Sequence, residues 1–226
     1  MTETRRWRIK GPEMEGPIAR WYARVRGTEN QIDLYRKQAA ELTAGLEPGA
    51  WVLEVAPGPG YLAIEIARLG KFEVTALDIS RTFVEIAKDN ARKAGVDVFF
   101  QQGDVAHMPF ASATFDLIVC QAAFKNFTLP HSALAEIHRV LRPRGVAVIQ
   151  DMNHEVTHGD IDREVERMQL GRINSFTTRA TLEMLKRRAY SSAQFARLAA
   201  ESPFGNSVIK TEGIGLEVRL VKEGVA

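Results

Sequence analysis

Apolar residues change their spacing along the chain in a way that separates three stretches. From Ile18 to Leu46 they recur at helical intervals (Trp21, Val25, then Ile32, Tyr35, Ala39, Leu42). This predicts two short helices broken near Gly27, ahead of a Glu47-Pro48-Gly49 turn. Residues 1–17, which carry Gly11-Pro12 and Gly16-Pro17, read as an irregular arm. Continuous apolar runs rich in β-branched and aromatic residues then fall at 51–55, 72–77, 96–100, 115–120 and 146–151. Helical patterns lie between them at 61–69, 81–94 and 130–141. Strands apolar on both faces, alternating with amphipathic helices, predict a parallel sheet covered on both sides.

The tail differs. Helices are expected at 178–188 and 191–201, followed by two β-like runs at 206–211 and 215–221. Only a short turn through Glu212-Gly213-Ile214 separates those runs, which predicts an antiparallel hairpin. The expected fold is α/β and Rossmann-like, a doubly wound sheet of about seven strands. It is expected as a single domain over 1–226, with an N-terminal helical arm (1–47), a cofactor-binding core (48–151) and a substrate-side segment with the terminal hairpin (152–226).

The 226 residues are 45% hydrophobic and 26% charged, which suits one globular domain that needs neither disulfide nor structural metal. The single cysteine, Cys120, lies in an apolar strand and reads as a buried thiol. A net charge of +2 is too small to indicate nucleic-acid binding. Arg5, Arg6, Arg8 and Lys10, then Arg20, Arg24 and Arg26, are interspersed with Glu3, Glu13 and Glu15, as in a solvated arm. No apolar run approaches the ~20 residues of a membrane span, and the N-terminus lacks the apolar core of a secretory signal. A cytoplasmic location is expected.

The chemistry gathers at the ends of the first three strands. Glu54-Val-Ala-Pro-Gly58-Pro-Gly60 runs from a strand straight into a helix, and its glycines would let a ligand approach the backbone. Taken alone, Gly58-x-Gly60-x-x-Ala63 with Asp78 about twenty residues on also satisfies a loose dinucleotide fingerprint. Glu54 argues otherwise, because a carboxylate inside the strand repels a pyrophosphate and suits a cationic ligand. Asp78 at the second strand end can accept bonds from both ribose hydroxyls. Ser80 is placed to cap the helix that follows. Asp104 after the third strand can accept from an adenine amino group while Val105 packs on the ring. Together the three acids describe a nucleoside that carries a cationic group.

The segments VLEVAPGPGYLAIEIARLG, VTALDIS, GDVAHMPFASATFDLIVC and ALAEIHRVLRPRGVAVI resemble, in order, the motifs of class I S-adenosylmethionine-dependent methyltransferases. Within that class they are most similar to the small-molecule group typified by quinone-biosynthesis C-methyltransferases. The resemblance covers roughly residues 48–151. It implies the strand order 3-2-1-4-5-7-6 with strand 7 antiparallel, and S-adenosylmethionine as cofactor. Glu54, Ala56, Gly58 and Gly60 would form the methionine-side loop, Asp78 and Ile79 would hold the ribose and flank the adenine, Asp104 and Val105 would bind the adenine, and Gln121 would lie near the methionine moiety. Two departures stand out. Ala56 replaces a usual glycine and is therefore expected to avoid φ > 0, and Arg144 replaces a glycine of the usual Arg-Pro-Gly-Gly turn.

The acceptor is expected to be a small molecule. The Asn/Asp-Pro-Pro-Tyr motif of DNA and protein amino-group methyltransferases is absent after the fourth strand. Phe124 and Phe127 are candidate pocket walls, against an equally good reading as core. Tyr22 is a candidate cap over the pocket. The His-x3-His loop at 151–160 is read as a solvated polar loop with no metal site. His154 is the candidate general base and His131 a weaker one. A nicotinamide-dependent oxidoreductase would need a Tyr-x3-Lys pair that no tyrosine here supplies. A non-catalytic protein that binds the same cofactor is the second rival. Nothing in the sequence specifies the oligomeric state.

Overall fold

The computed structural model describes residues 14–168 and 171–224, so the basic residues of the arm at 5–10 lie outside it. Seven strands form one sheet in the order β3-β2-β1-β4-β5-β7-β6. They are β1 (Trp51–Val55), β2 (Glu73–Asp78), β3 (Phe99–Gln102), β4 (Phe115–Gln121), β5 (Leu141–Met152), β6 (Val208–Glu212) and β7 (Gly215–Val221). β1 to β5 pair in parallel, and β7 runs antiparallel to both β5 and β6. The strand order and the reversed hairpin agree with expectation.

Strands buried on both faces need two helical layers, and the sequence supplies them. On one side, α5 (Pro130–Val140) and α8 (Ser192–Ala200) join a core around Leu53, Ile118, Phe115, Ile149 and Val218. On the other, α2 (Glu29–Thr43), α3 (Tyr61–Arg68) and α4 (Arg81–Ala94) close over Val52, Val119, Val148 and Phe100. Neighbouring residues of β5 alternate between these cores, Ala147 and Ile149 into one and Val148 into the other. Cys120 sits fully buried in the first core, where burial pushes its thiol pKa up.

α1 (Gly16–Arg26) and α2 break near Gly27 as the pattern predicts. The start of α1 is tied to α4: Gly16 N–H donates to Thr82 Oγ1, Ser80 Oγ donates to the Met14 carbonyl, and the Glu15 carboxylate accepts from the N–H groups of Arg81 and Thr82. These bonds satisfy orphan donors at the first turn of α4. Ser80 caps that helix by accepting from Phe83 N–H at 3.0 Å.

Several details differ from expectation, among them a shift of β3 from 96–100 to Phe99–Gln102 and of β6 from 206–211 to Val208–Glu212. β5 begins at Leu141 rather than 146, because Arg144 N–H and the Gly145 carbonyl pair with Lys222. α7 (Arg172–Lys186) starts earlier than the predicted 178. The polar loop at 151–160 is only partly a loop. Asp151 and Met152 finish β5, and α6 (His158–Arg167) begins six residues later under a Thr157/Asp160 capping box. Ile161 and Val165, one turn apart, bury that helix against Met152 and Ala189.

Candidate cofactor and acceptor site

Parallel pairing of β1, β2, β3 and β4 brings their C-terminal ends to one edge, and the predicted acids meet there. Glu54 lies within β1, 3% exposed, and its Oε2 accepts from Ala63 N–H at 2.8 Å in the first turn of α3. Burial pushes its carboxyl up to about 8, with the Ala63 bond opposing and the nearby Asp78 charge adding to the shift. Asp78 ends β2, 5% exposed, and accepts from Gly58 N–H at 2.9 Å and Ser80 N–H at 2.8 Å. Burial raises it to about 6 despite those two bonds. One carboxylate thereby ties the glycine loop to the next strand end. Asp104 follows β3 and accepts from Ala106 N–H at 2.9 Å, capping a short helical turn at Val105–His107.

The loop between β1 and α3 is shaped by positive φ at three positions. Gly58 (φ 55) and Gly60 (φ 79) adopt it as glycines readily do. Gly60 is also sterically required, since a Cβ there would lie 2.8 Å from Ala87 Cβ and 2.9 Å from the Phe100 ring. Ala56 is the correction: its φ is 54, in the region the sequence argued it would avoid. Its N–H bonds the Leu77 carbonyl at 2.8 Å, which fixes the exit from β1, and its single methyl group is tolerated at a cost of about 1–2 kcal/mol. Ala122, at the end of β4, repeats the arrangement with φ 54 and its N–H on the Gln150 carbonyl at 2.7 Å. Backbone strain of this kind gathers at binding sites.

Two cavities open at this edge. A narrow one of about 50 Å³ lies among Ala56, Ile79, Asp104, Val105, Phe127 and Leu129. Flat apolar walls with a carboxylate at the rim suit an aromatic ring that bears an amino group. Ile79, Asp104 and Val105 are therefore brought together as predicted, and Phe127 joins them. Phe124 does not. It is 0% exposed and packs its ring 4.9 Å from Phe195 and 5.1 Å from Phe127, so it is core rather than pocket wall. Tyr22 on α1 is half-buried, edge-on to Phe83, and a Cβ on Gly58 would lie 3.9 Å from its ring. It covers the glycine loop.

The second cavity is an open cleft of about 1010 Å³ above the ends of β4 and β5, walled by α1, α2, α6 and the β6–β7 turn. Its floor carries a row of side chains fixed by strand register. Gln121 Nε2 donates to Gln150 Oε1 at 2.6 Å, Gln150 Nε2 donates to Glu217 Oε2 at 2.8 Å, and Arg219 Nε donates to Glu217 Oε1 at 2.9 Å. Gln121 was named from the sequence. Gln150 and Glu217 were missed, since only pairing across β4, β5 and β7 makes them neighbours. Beneath Ala122, the buried Lys125 ammonium donates to Asp151 Oδ1 at 2.7 Å, and Lys125 N–H reaches the other oxygen at 2.9 Å. His154 lines neither cavity; its Nδ1 is 2.9 Å from the Lys186 carbonyl. His131, the weaker candidate, stands near Glu201 on the surface.

Comparison with known proteins agrees with this geometry. The family profile "methyltransferase domain" matches residues 53–149. The ubiquinone/menaquinone biosynthesis C-methyltransferase UbiE of Blochmanniella pennsylvanica is 37% identical over 117 residues, 49% of this chain and 46% of the relative. The demethylmenaquinone methyltransferase of Deinococcus radiodurans is 32% identical over 119 residues, 52% of this chain and 49% of its own. The chain spans about half the length of these curated relatives. A solved S-adenosylmethionine-dependent methyltransferase from Aquifex aeolicus superposes with a TM-score of 0.66 at 18% identity, over 89% of this chain and 97% of that one, which speaks to the fold alone. The match to the methyltransferase-domain family thus covers residues 53–149, and the strand order is the one the resemblance in sequence implied.

Proposed function

We propose that the protein transfers the methyl group of S-adenosylmethionine to a small-molecule acceptor held in the open cleft. The observation that carries this reading is the convergence of Glu54, Asp78 and Asp104 around the glycine loop. The cofactor supplies a methyl group already activated by its sulfonium. The chain's part is alignment and exclusion of water. Glu54, once ionised, would pair with the ammonium of the methionine moiety. Asp78 would hold the ribose hydroxyls, and Asp104, Ile79 and Val105 the adenine. Tyr22 would shield the loop from solvent, and the row from Gln121 to Glu217 would orient the acceptor by hydrogen bonds.

No histidine is placed in either cavity, so His154 is not carried forward as a base. A general base matters only for an acceptor that must lose a proton. Calorimetric titration with S-adenosylmethionine, S-adenosylhomocysteine and NAD tests the cofactor. Binding of the first two without NAD is expected, and binding of NAD alone would overturn the reading. Turnover against quinols, phenols and small amines then distinguishes an enzyme from a protein that only binds the cofactor.

The identity of the acceptor does not transfer from the quinone-pathway relatives. Apart from Gln121 and Ala122, the residues lining the cleft, 26–38, 150–151 and 160–217, lie outside the segment 53–149 that matches the family. Among the described residues no helix is long and apolar enough to cross a membrane.

A further inference from the structure

Arg26 occupies an unusual position for a cation. It ends α1 and lines the open cleft, with its side chain half-buried against α2. Nε and Nη2 both donate to Tyr35 Oη, at 3.0 and 2.6 Å, and the guanidinium carbon lies 5.4 Å from the Tyr35 ring centre. No carboxylate pairs with it among the described residues. Of the other half-buried arginines, Arg139 is matched to Glu136 and Arg142 to Asp116, while Arg188 has no acid partner among the described residues and lines no cavity. A guanidinium drawn out of water normally requires such a partner. Attraction to the C-terminal end of α1 accounts for a solvated arginine such as Arg24. It does not account for one turned inward onto a phenol.

The surroundings indicate what the missing partner is. Tyr22, one turn earlier on α1, lies over Gly58. Tyr61, the first residue of α3, donates its hydroxyl to the Ala23 carbonyl at 2.9 Å and packs its ring 6.0 Å from Tyr35. These contacts hold the end of α1 on the cofactor loop. The cation therefore faces the cleft beside the glycine loop, and Gln121 and Ala122 line the same cleft. A guanidinium at the cleft mouth without an acid beside it matches the carboxylate of a ligand.

We propose that Arg26 is a carboxylate-binding group, set where the glycine loop meets the open cleft. Its planar, permanently charged fork suits a carboxylate better than a lysine would. The carboxylate belongs either to the amino-acid end of the cofactor or to an acidic acceptor; the first of these rests on the function proposed above.

The test compares wild-type protein with Arg26→Met and Arg26→Lys by calorimetry. The ligands are S-adenosylhomocysteine and 5′-methylthioadenosine, which has the nucleoside and thioether but no amino-acid group. Acetate is then titrated into each complex as a bare carboxylate probe. If the cofactor supplies the carboxylate, Arg26→Met weakens S-adenosylhomocysteine roughly ten- to a hundredfold and leaves methylthioadenosine within about twofold. Arg26→Lys recovers part of the loss, and acetate binds the methylthioadenosine complex only. If the acceptor supplies it, both nucleosides are unaffected, and acetate binds the wild-type S-adenosylhomocysteine complex but not that of Arg26→Met. Unchanged nucleoside affinities with no Arg26-dependent acetate binding in either complex overturn the proposal. Failure of the wild type to bind either nucleoside would instead overturn the cofactor assignment, and an unchanged methylthioadenosine affinity shows that each variant is folded.

Discussion

The two halves of the site are built in different ways. At the ends of β1, β2 and β3 the functional groups act through short loops, each acid bonding backbone N–H groups within twenty residues of itself. Above β4, β5 and β7 the groups act through one another, in the Gln121–Gln150–Glu217 row and the Lys125–Asp151 pair, across as many as 67 residues of sequence. The first half lies within the segment that matches the methyltransferase family, while the second joins Gln121 and Lys125 inside it to Gln150, Asp151 and Glu217 outside it. A local device can be shared across many acceptors. A long-range one has to be rebuilt for each.

The half above β4, β5 and β7, proposed to hold the acceptor, should depend most on its buried pair. Lys125→Met is expected to destabilise the protein by about 3–5 kcal/mol in urea unfolding, because Asp151 stays buried without its cation. Adding Asp151→Leu should restore much of the loss, and a double variant as unstable as the single would break the comparison. On the cofactor side, Gly60→Val places a side chain against Ala87 and Phe100 at a left-handed residue. A loss of about 2–4 kcal/mol is expected in the same assay.

Binding sharpens the contrast further. Asp78→Ala removes the acceptor for Gly58 and Ser80 N–H as well as the proposed ribose contact. S-adenosylhomocysteine should bind roughly 30- to 100-fold more weakly by calorimetry, and an effect below about threefold would count against the role of Asp78.

Glu54→Gln tests the buried carboxyl by its pH dependence. Folded Glu54 keeps its proton up to about 8, against 4.5 as the ordinary value. Its stabilising contribution is therefore complete below the ordinary value and is lost as pH rises through 8. The thermal midpoint of the ligand-free wild type should fall between about pH 5 and about pH 8, and fall less in Glu54→Gln. S-adenosylhomocysteine affinity should move the other way, tightening as pH rises because the ammonium requires the ionised form. A wild-type affinity as flat with pH as that of the variant would remove Glu54 from the ammonium site. The smallest effect is expected on α7, where Phe176 is 74% exposed: Phe176→Ser should change stability by less than about 0.5 kcal/mol.

Much of this molecule was legible before folding. The runs at 51–55, 81–94 and 215–221 became β1, α4 and β7 with the predicted bounds, because each is a strongly periodic or continuously apolar stretch whose ends carry turn or capping residues. α6 was hidden among the polar residues of 151–160, although Thr157-x-x-Asp160 followed by Ile161 and Val165 was a usable signal. Phe124 had no such signal: an aromatic residue after a strand reads equally as wall or core, and only the positions of Phe195 and Tyr190 decide.

The sequence by itself determined the alternation of strands and helices, the loop of Gly58 and Gly60, and an acid at each of the first three strand ends. These follow from patterns a few residues long, which the backbone reads locally. Tertiary structure decided the left-handed turn at Ala56, the burial that lifts Glu54, the amide row across three strands, and the guanidinium of Arg26 bonded to Tyr35 with no acid partner among the described residues. Each of those depends on groups from separate elements meeting out of water, and their distance in space is not encoded by their distance along the chain.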